Sequence, residues 1–235
     1  MNILRALPLL FVLLVLFAVF IFLLSSCSSS EQEYPEGNID VDSEIYIVPV
    51  GDVDEDLLYP LIDKLEKRFT TTVHVALDKG IPVPEDAYDY DAQQYVAMYV
   101  LYELLTKVEV PENDKILGVT NVDLFVPESD RGFIFGQAHV GKNAKGAIIS
   151  TIRMNPKSYK GGREDKELLI SRMTKEAIHE LGHVFGLKNC YEKECVMYLP
   201  KNRKEIDKKT DSFCLPCQKL SRPSPKDKVV KPPEL

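Results

Sequence analysis

HELGHVFGLKNC, residues 179–190, decides how this chain is read. It closes a longer run, EDKELLISRMTKEAIHELGHVFGL, in which Leu169, Met173, Ile178, Leu181 and Phe185 recur at helical spacing. The run is expected to form one amphipathic helix with those residues on its buried side and Gly186 at its end. His179 and His183 are four residues apart, so both rings project from one face, about one turn apart. Two imidazoles so placed can bind a single zinc ion. Glu180 lies roughly 100° round the helix. From there its carboxylate can reach a water on the ion without binding the ion itself. Zinc lowers the pKa of that water towards neutrality, and Glu180 can take its proton and later pass it to a leaving amine. HExxH alone also arises by chance. Here it sits on a long amphipathic helix and runs on into Gly186.

Upstream, SEIYIVPVGDV carries a β-rich run, Ile45 to Val50, that reads as a first strand. DVDEDLLYPLIDKLEKRF has Leu57, Leu58, Leu61, Ile62, Leu65 and Phe69 at helical spacing, with acidic residues crowding its first turn. TTTVHVAL reads as a second strand, and the β-α-β order implies a parallel pair. A second helix is expected from near Asp91 through YVAMYVLYELLTKV. DKILGVTNVDLFVP and RGFIFGQAHVGKNAKGAIISTIRM hold further β-rich runs, one pair joined around GKNAKG. The fold class is therefore α/β, in one domain over residues 43–220. Residues 221–235, SRPSPKDKVVKPPEL, are rich in proline with little to bury, and are expected to be a disordered tail.

The chain has 235 residues, 28% of them charged, and a formal net charge of −7. That length supports one domain with a proper core. No sustained basic run interrupts the acidic balance, which argues against nucleic acid as a partner. The first 24 residues carry one charge, Arg5, followed by an apolar run from Ala6 to Leu24. Such a run is a signal peptide or an anchor. Leu24-Ser25-Ser26-Cys27 resembles the lipobox of bacterial lipoproteins. The resemblance implies a lipoprotein-type signal peptide over residues 1–26, lipid on Cys27, and a protein anchored to a membrane outside the cytoplasm. An uncleaved N-terminal helix is the other reading. Residues 27–42, polar with Ser, Pro and Gly, read as a flexible tether.

Downstream of Gly186 come Cys190, Cys195, Cys214 and Cys217, the last two as Cys-x2-Cys. HELGHVFGLKNCYEKECVMYLPKNRKEIDKKTDSFCLPC as a whole resembles the archaemetzincins, a branch of the metzincin metallopeptidases. The match lies in the HExxHxxG core, the run from Cys190 through Cys195 to Met197, and the closing Cys-x2-Cys. The resemblance implies a compact domain with a mixed twisted sheet, an active-site helix and a zinc-stapled C-terminal segment. It implies a catalytic zinc on His179 and His183 in a cleft between sheet and helix, with Glu180 as general base. Met197 would be the Met-turn residue beneath that zinc. A second, structural zinc would sit on all four cysteines. Two disulfides are the competing reading, favoured by an oxidising compartment. A redox role for Cys-x2-Cys lacks a thioredoxin-like context.

Asn189 departs from the family pattern, which has His immediately before the first cysteine. An amide oxygen is a neutral, weaker donor, so Asn189 is at best a weak third ligand. Water could fill the position, or a histidine from elsewhere. The remaining histidines, His74 and His139, read first as ordinary strand or surface residues. Three functions follow: a monomeric, membrane-tethered zinc metallopeptidase acting on peptides or proteins; a non-catalytic, zinc-stabilised binding lipoprotein; or a disulfide-stapled structural lipoprotein.

Overall fold

The computed structural model describes residues 37–221, apart from 40 and 128. The expected signal peptide, Cys27, most of the tether and nearly all of the tail lie outside the described residues. Among the described residues, no helix is long and apolar enough to cross a membrane.

A five-stranded sheet runs in the order β2 (Val73–Val75), β1 (Ile45–Val50), β5 (Lys115–Thr120), β8 (Gly146–Ser150), β7 (Gly136–Ala138). The first four are parallel, and β7 is the antiparallel edge, joined to β8 around GKNAKG as expected. Successive side chains point to opposite faces, and the strands use both. Ile45, Ile47, Leu117, Val119, Ala147 and Ile149 pack on α1 (Leu61–Phe69) and α3 (Lys166–Val184). Val48, Val50, Ile116 and Ile148 pack on α2 (Ala97–Lys107). A sheet buried on both faces needs such continuous apolar strands. A small second sheet, β3 (Tyr88–Asp89), β4 (Gln94–Val96) and β6 (Leu124–Phe125), lies between α2 and its neighbours in sequence.

Two helix starts differ from the expectation. The run from Leu57 is broken: a 3-10 turn covers Glu55–Leu57 and α1 starts only after Pro60. Proline has no N–H to give a helix interior, which confines it to the helix start. The second helix begins at Ala97, not near Asp91. The Asp89 carboxylate accepts from the N–H groups of Asp91 and Ala92, and Gln93 is left-handed at φ 56°. These turn the chain back so that β3 pairs with β4 before a helix can start.

Chain packing begins before residue 43. Ile39 is buried and its N–H bonds to the Arg68 carbonyl at 2.9 Å. The Phe213 N–H bonds to the Gly37 carbonyl at 3.1 Å. Arg68 completes the clamp by donating to Asn38 Oδ1 and to Asp211. The start of the domain is thereby fastened to the segment just before Cys214.

Candidate active site

Helix α3 opens on Asp165, whose carboxylate accepts from the Leu168 N–H, and ends at Phe185 with Gly186 left-handed at φ 89°. His179 is buried, and its Nδ1 lies 2.9 Å from the Val196 carbonyl. His183 Nδ1 lies 2.8 Å from the Leu187 carbonyl. A carbonyl can only accept, so both Nδ1 atoms carry the proton and both Nε2 atoms keep a lone pair. Those Nε2 atoms face each other at 3.2 Å. Neither can donate to the other. The arrangement makes sense around a cation: two nitrogens on one tetrahedral zinc stand roughly 3.3 Å apart. Burial, helped by Lys209 and His183, holds the His179 pKa well below its ordinary value. The ring is therefore neutral at neutral pH, with its Nε2 lone pair available to a metal ion.

Glu180 is buried beside them. Burial, then the neighbouring Glu176, pushes its carboxyl up to about 8, against the opposing pull of Lys209. A Cβ on Gly136 would stand 2.7 Å from Glu180 Cγ and 2.9 Å from the Ile148 carbonyl. The glycine that opens β7 thus makes the room in which Glu180 sits. His179, Glu180 and Gly136 line a cavity of about 320 Å³, with Phe133, Leu199 and Lys201 across from them. It is a cleft between sheet edge and helix, as the archaemetzincin resemblance implies.

Met197 is fully buried beneath α3. A Cβ on Gly182 would meet its Sδ at 2.4 Å, so this glycine inside the helix is the slot for Met197. Asn189 is exposed, and its side chain makes no hydrogen bond among the described residues. Its backbone is fixed on either side, by Leu187 N–H to Gly182 O at 2.9 Å and Cys190 N–H to Met197 O at 2.8 Å. Among the described residues, no third His, Cys, Asp or Glu donor joins the two imidazoles. His139 is exposed beyond β7 and accepts from the Lys145 N–H at 3.3 Å. His74 sits on the far edge strand, 2.7 Å from Glu44 and stacked on Tyr46.

Lys209 was not legible as a site residue. It lies in the charged segment KEIDKKTD and is fully buried. Its ammonium donates to the carbonyls of Val196 at 3.0 Å and Tyr198 at 3.3 Å. It stands 2.8 Å from Glu176 Oε1, off-line for a hydrogen bond, so that contact is Coulombic. The Val196 carbonyl therefore takes both Lys209 and His179. A single buried cation ties the chain around Met197 to one imidazole and to the helix that carries it.

The four cysteines form a second cluster, with all sulfurs within 4.8 Å of one another. Cys190 and Cys214 stand at 3.7 Å, Cys195 and Cys217 at 3.8 Å. Two thiolates on one tetrahedral zinc stand roughly 3.8 Å apart; none of the four is in a disulfide. The hydrogen bond shared with Cys217 pulls Cys195 down to about 5. Burial pushes Cys214 up to about 11, and the bond to Cys195 pushes Cys217 up. A divalent ion among the four sulfurs favours their thiolate forms.

Gaps that match zinc distances at both clusters, and a buried carboxyl beside the open one, set the class: a zinc metallopeptidase. Known proteins agree. The model of peptidase family M54 matches residues 43–222. An archaemetzincin of Pyrococcus abyssi is 38% identical over 177 residues, 74% of this chain and 91% of that protein. One from Methanocaldococcus jannaschii is 36% identical over 176 residues, covering 74% and 90%. Among solved structures, a zinc-dependent peptidase from Methanocorpusculum labreanum aligns with a TM-score of 0.67 at 30% identity, over 76% of this chain and all of that one. The archaemetzincin of Archaeoglobus fulgidus aligns at 0.61 and 31%, over 75% and 98%. The chain belongs to peptidase family M54.

Proposed function

We propose that the chain hydrolyses peptide bonds at the His179–His183 pair, with Glu180 as general base. The facing Nε2 lone pairs at 3.2 Å carry this reading, because a metal ion between them relieves their repulsion and uses both as ligands. Zinc held there supplies Lewis acidity, which acidifies water and polarises a carbonyl. The Val196 and Leu187 carbonyls fix the two rings in the tautomer that ligates. Glu180 takes the proton of the attacking water and returns it to the leaving amine, a task that suits a carboxyl tuned towards neutrality. Gly136 leaves it the space to do so. Asn189 completes the ligand set weakly or leaves the place to water.

The cysteine cluster holds a second zinc that does no chemistry, since its four sulfurs occupy every tetrahedral position. The chain is attached to a membrane through lipid on Cys27, a reading supported by the apolar leader and the Leu24-Ser25-Ser26-Cys27 sequence. Intact-mass analysis of membrane-extracted protein tests that point; an unmodified chain starting at Met1 overturns it.

The activity is tested by titrating zinc into wild type and Glu180→Gln on a mixed peptide library. Wild type should cleave in a zinc-dependent way. Glu180→Gln should bind zinc comparably and cleave about 10²–10⁴-fold more slowly. Loss of zinc binding in Glu180→Gln, or equal rates, contradicts the assignment. Zinc-saturated wild type that cleaves nothing while Asn189→His cleaves makes Asn189 a disabling change and favours the non-catalytic binding role.

A further inference from the structure

We propose that the cleft carries a carboxylate-binding subsite, formed by Arg131 and Lys201, that favours peptides presenting an acidic side chain or a free C-terminus. The proposal rests on the peptidase reading and adds a substrate class to it.

The chain is acidic overall, with net charge −7, but this cleft is not. Two of its lining residues are carboxylic acids, Glu176 and Glu180. Glu176 is buried against the Lys209 ammonium at 2.8 Å. Glu180 is the buried base itself. The charges left facing solvent are those of Arg131 and Lys201, both exposed on the cleft wall.

Elsewhere in the molecule three of the described arginines have their own carboxylates, and Arg203 lies over the Tyr159 ring. Arg172 reaches both carboxylate oxygens of Asp207 and Arg153 both of Asp123, and Arg68 donates to Asp211 Oδ1 and to the Asp211 backbone carbonyl. Arg131 has no carboxylate partner among the described residues. One of its nitrogens reaches the Pro200 carbonyl at 3.3 Å, across the end of the cleft. That bond steadies the guanidinium against the segment that bears Lys201 and leaves the rest of the fork unspent. Lys201 uses its backbone N–H on Glu205, at 2.7 Å, while its ammonium has no acidic partner among the described residues. A planar fork with free N–H groups matches a carboxylate in a bidentate way, and a nearby ammonium adds charge without demanding geometry.

The position fits a peptide. The cleft wall beside the two cations is apolar: Phe133 packs edge-on to Phe135 at 5.3 Å, and Leu199 is partly exposed. A cavity of about 320 Å³ is at the small end of ligand pockets. Arg131 and Lys201 line the same cavity as Glu180, so a carboxylate held by them belongs to a residue close to the bond near Glu180.

The test measures binding, so that it does not depend on turnover. Zinc-loaded Glu180→Gln protein is titrated by calorimetry with short peptides in matched pairs: Glu against Gln at each position, and C-terminal acid against C-terminal amide. At low salt one acidic member should bind about tenfold more tightly than its neutral twin. The position at which this happens separates a side-chain carboxylate from a terminal one. Raising salt to about 1 M should shrink the ratio. In the added Arg131→Gln/Lys201→Gln background the ratio should fall to about one. Equal affinity of every pair, no measurable binding of any peptide, or a ratio that survives the double substitution each overturn the subsite. Hydrolysis by wild type without any acidic preference sinks this proposal alone. Acidic preference in binding without hydrolysis sinks the peptidase reading and leaves the subsite standing.

Discussion

The two metal-ready clusters of this domain sit on the same stretch of chain and differ in almost every respect that matters. The cysteine cluster has four donors of one kind, 3.7–3.8 Å apart across its closest pairs, with two of its four residues buried. The histidine cluster has two donors at 3.2 Å, opens on a cleft, and has an ionisable carboxyl next to it. A complete donor set leaves an ion nothing to do but hold the chain together. An incomplete one leaves room for water and substrate. Both clusters hang on the segment from Leu187 to Met197. One bond, from Cys190 N–H to the Met197 carbonyl, ties the cysteine side to the Met197 side. The cysteine cluster is thus part of the scaffold of the histidine pair, and substitutions should affect the two unequally.

The largest effect should come from Cys214→Ser. A structural zinc in a small domain contributes on the order of 10 kcal/mol of binding energy to folding. The variant should lose one zinc and its cooperative thermal transition, and the histidine site should fail with it. Alkylation under denaturing, non-reducing conditions should label all four clustered thiols of wild type. A variant that melts like wild type, or thiols that resist labelling, would remove the structural site from the comparison.

Lys209→Met should come next. It leaves Glu176 buried with no counter-charge, a change that costs about 3–5 kcal/mol. Denaturant midpoints read the loss, and adding Glu176→Gln should restore much of it. Zinc affinity should fall at the histidines, through the Val196 carbonyl, and stay unchanged at the cysteines. Equal weakening of both sites would mean that Lys209 acts on the fold as a whole.

A pH effect should be smaller and confined to one site. With the histidines stripped of metal and the cysteine zinc retained, Glu180 has a folded pKa near 8, above its ordinary value. Between those values the folded state holds a proton that the unfolded state has released. The stability it contributes is full below the ordinary carboxyl range and is lost as pH rises towards 8. Urea midpoints should fall across that window in wild type and stay flatter in Glu180→Gln. Parallel profiles would show that Glu180 is not the titrating group.

How far the sequence leads depends on the range of the interaction. β1 is bounded where alternating Ile and Val residues run out, and α3 where Asp165 caps it and Gly186 stops it; both are local signals. The His, Glu and Cys residues announce themselves by spacing. Asp89 and Gln93, which delay α2, act locally too, but the YDYDAQQYV run imitates a helix start. Gly136, Gly182 and Lys209 could not be read at all. Their meaning lies in Glu180, Met197 and Val196, which only folding brings to them. Asn189 stands out in the sequence, and the structure leaves it exposed, with no third His, Cys, Asp or Glu donor joining the two imidazoles among the described residues.

Asn189→His should have the smallest effect and sharpen the contrast most. An imidazole is a better donor than an amide, so zinc at the histidine pair should tighten by about tenfold or more. The cysteine zinc should not change. No change at either site would mean that position 189 does not face the ion.

The difference between the sites is tested most directly by counting zinc per chain during graded chelation, using native mass spectrometry on the wild-type domain. Two ions should be present at saturating zinc. Mild chelator should remove one of them without unfolding the protein, and peptidase activity should vanish with that ion. The second should leave only under conditions that also unfold the chain. One ion throughout, or two that leave together, would contradict the account.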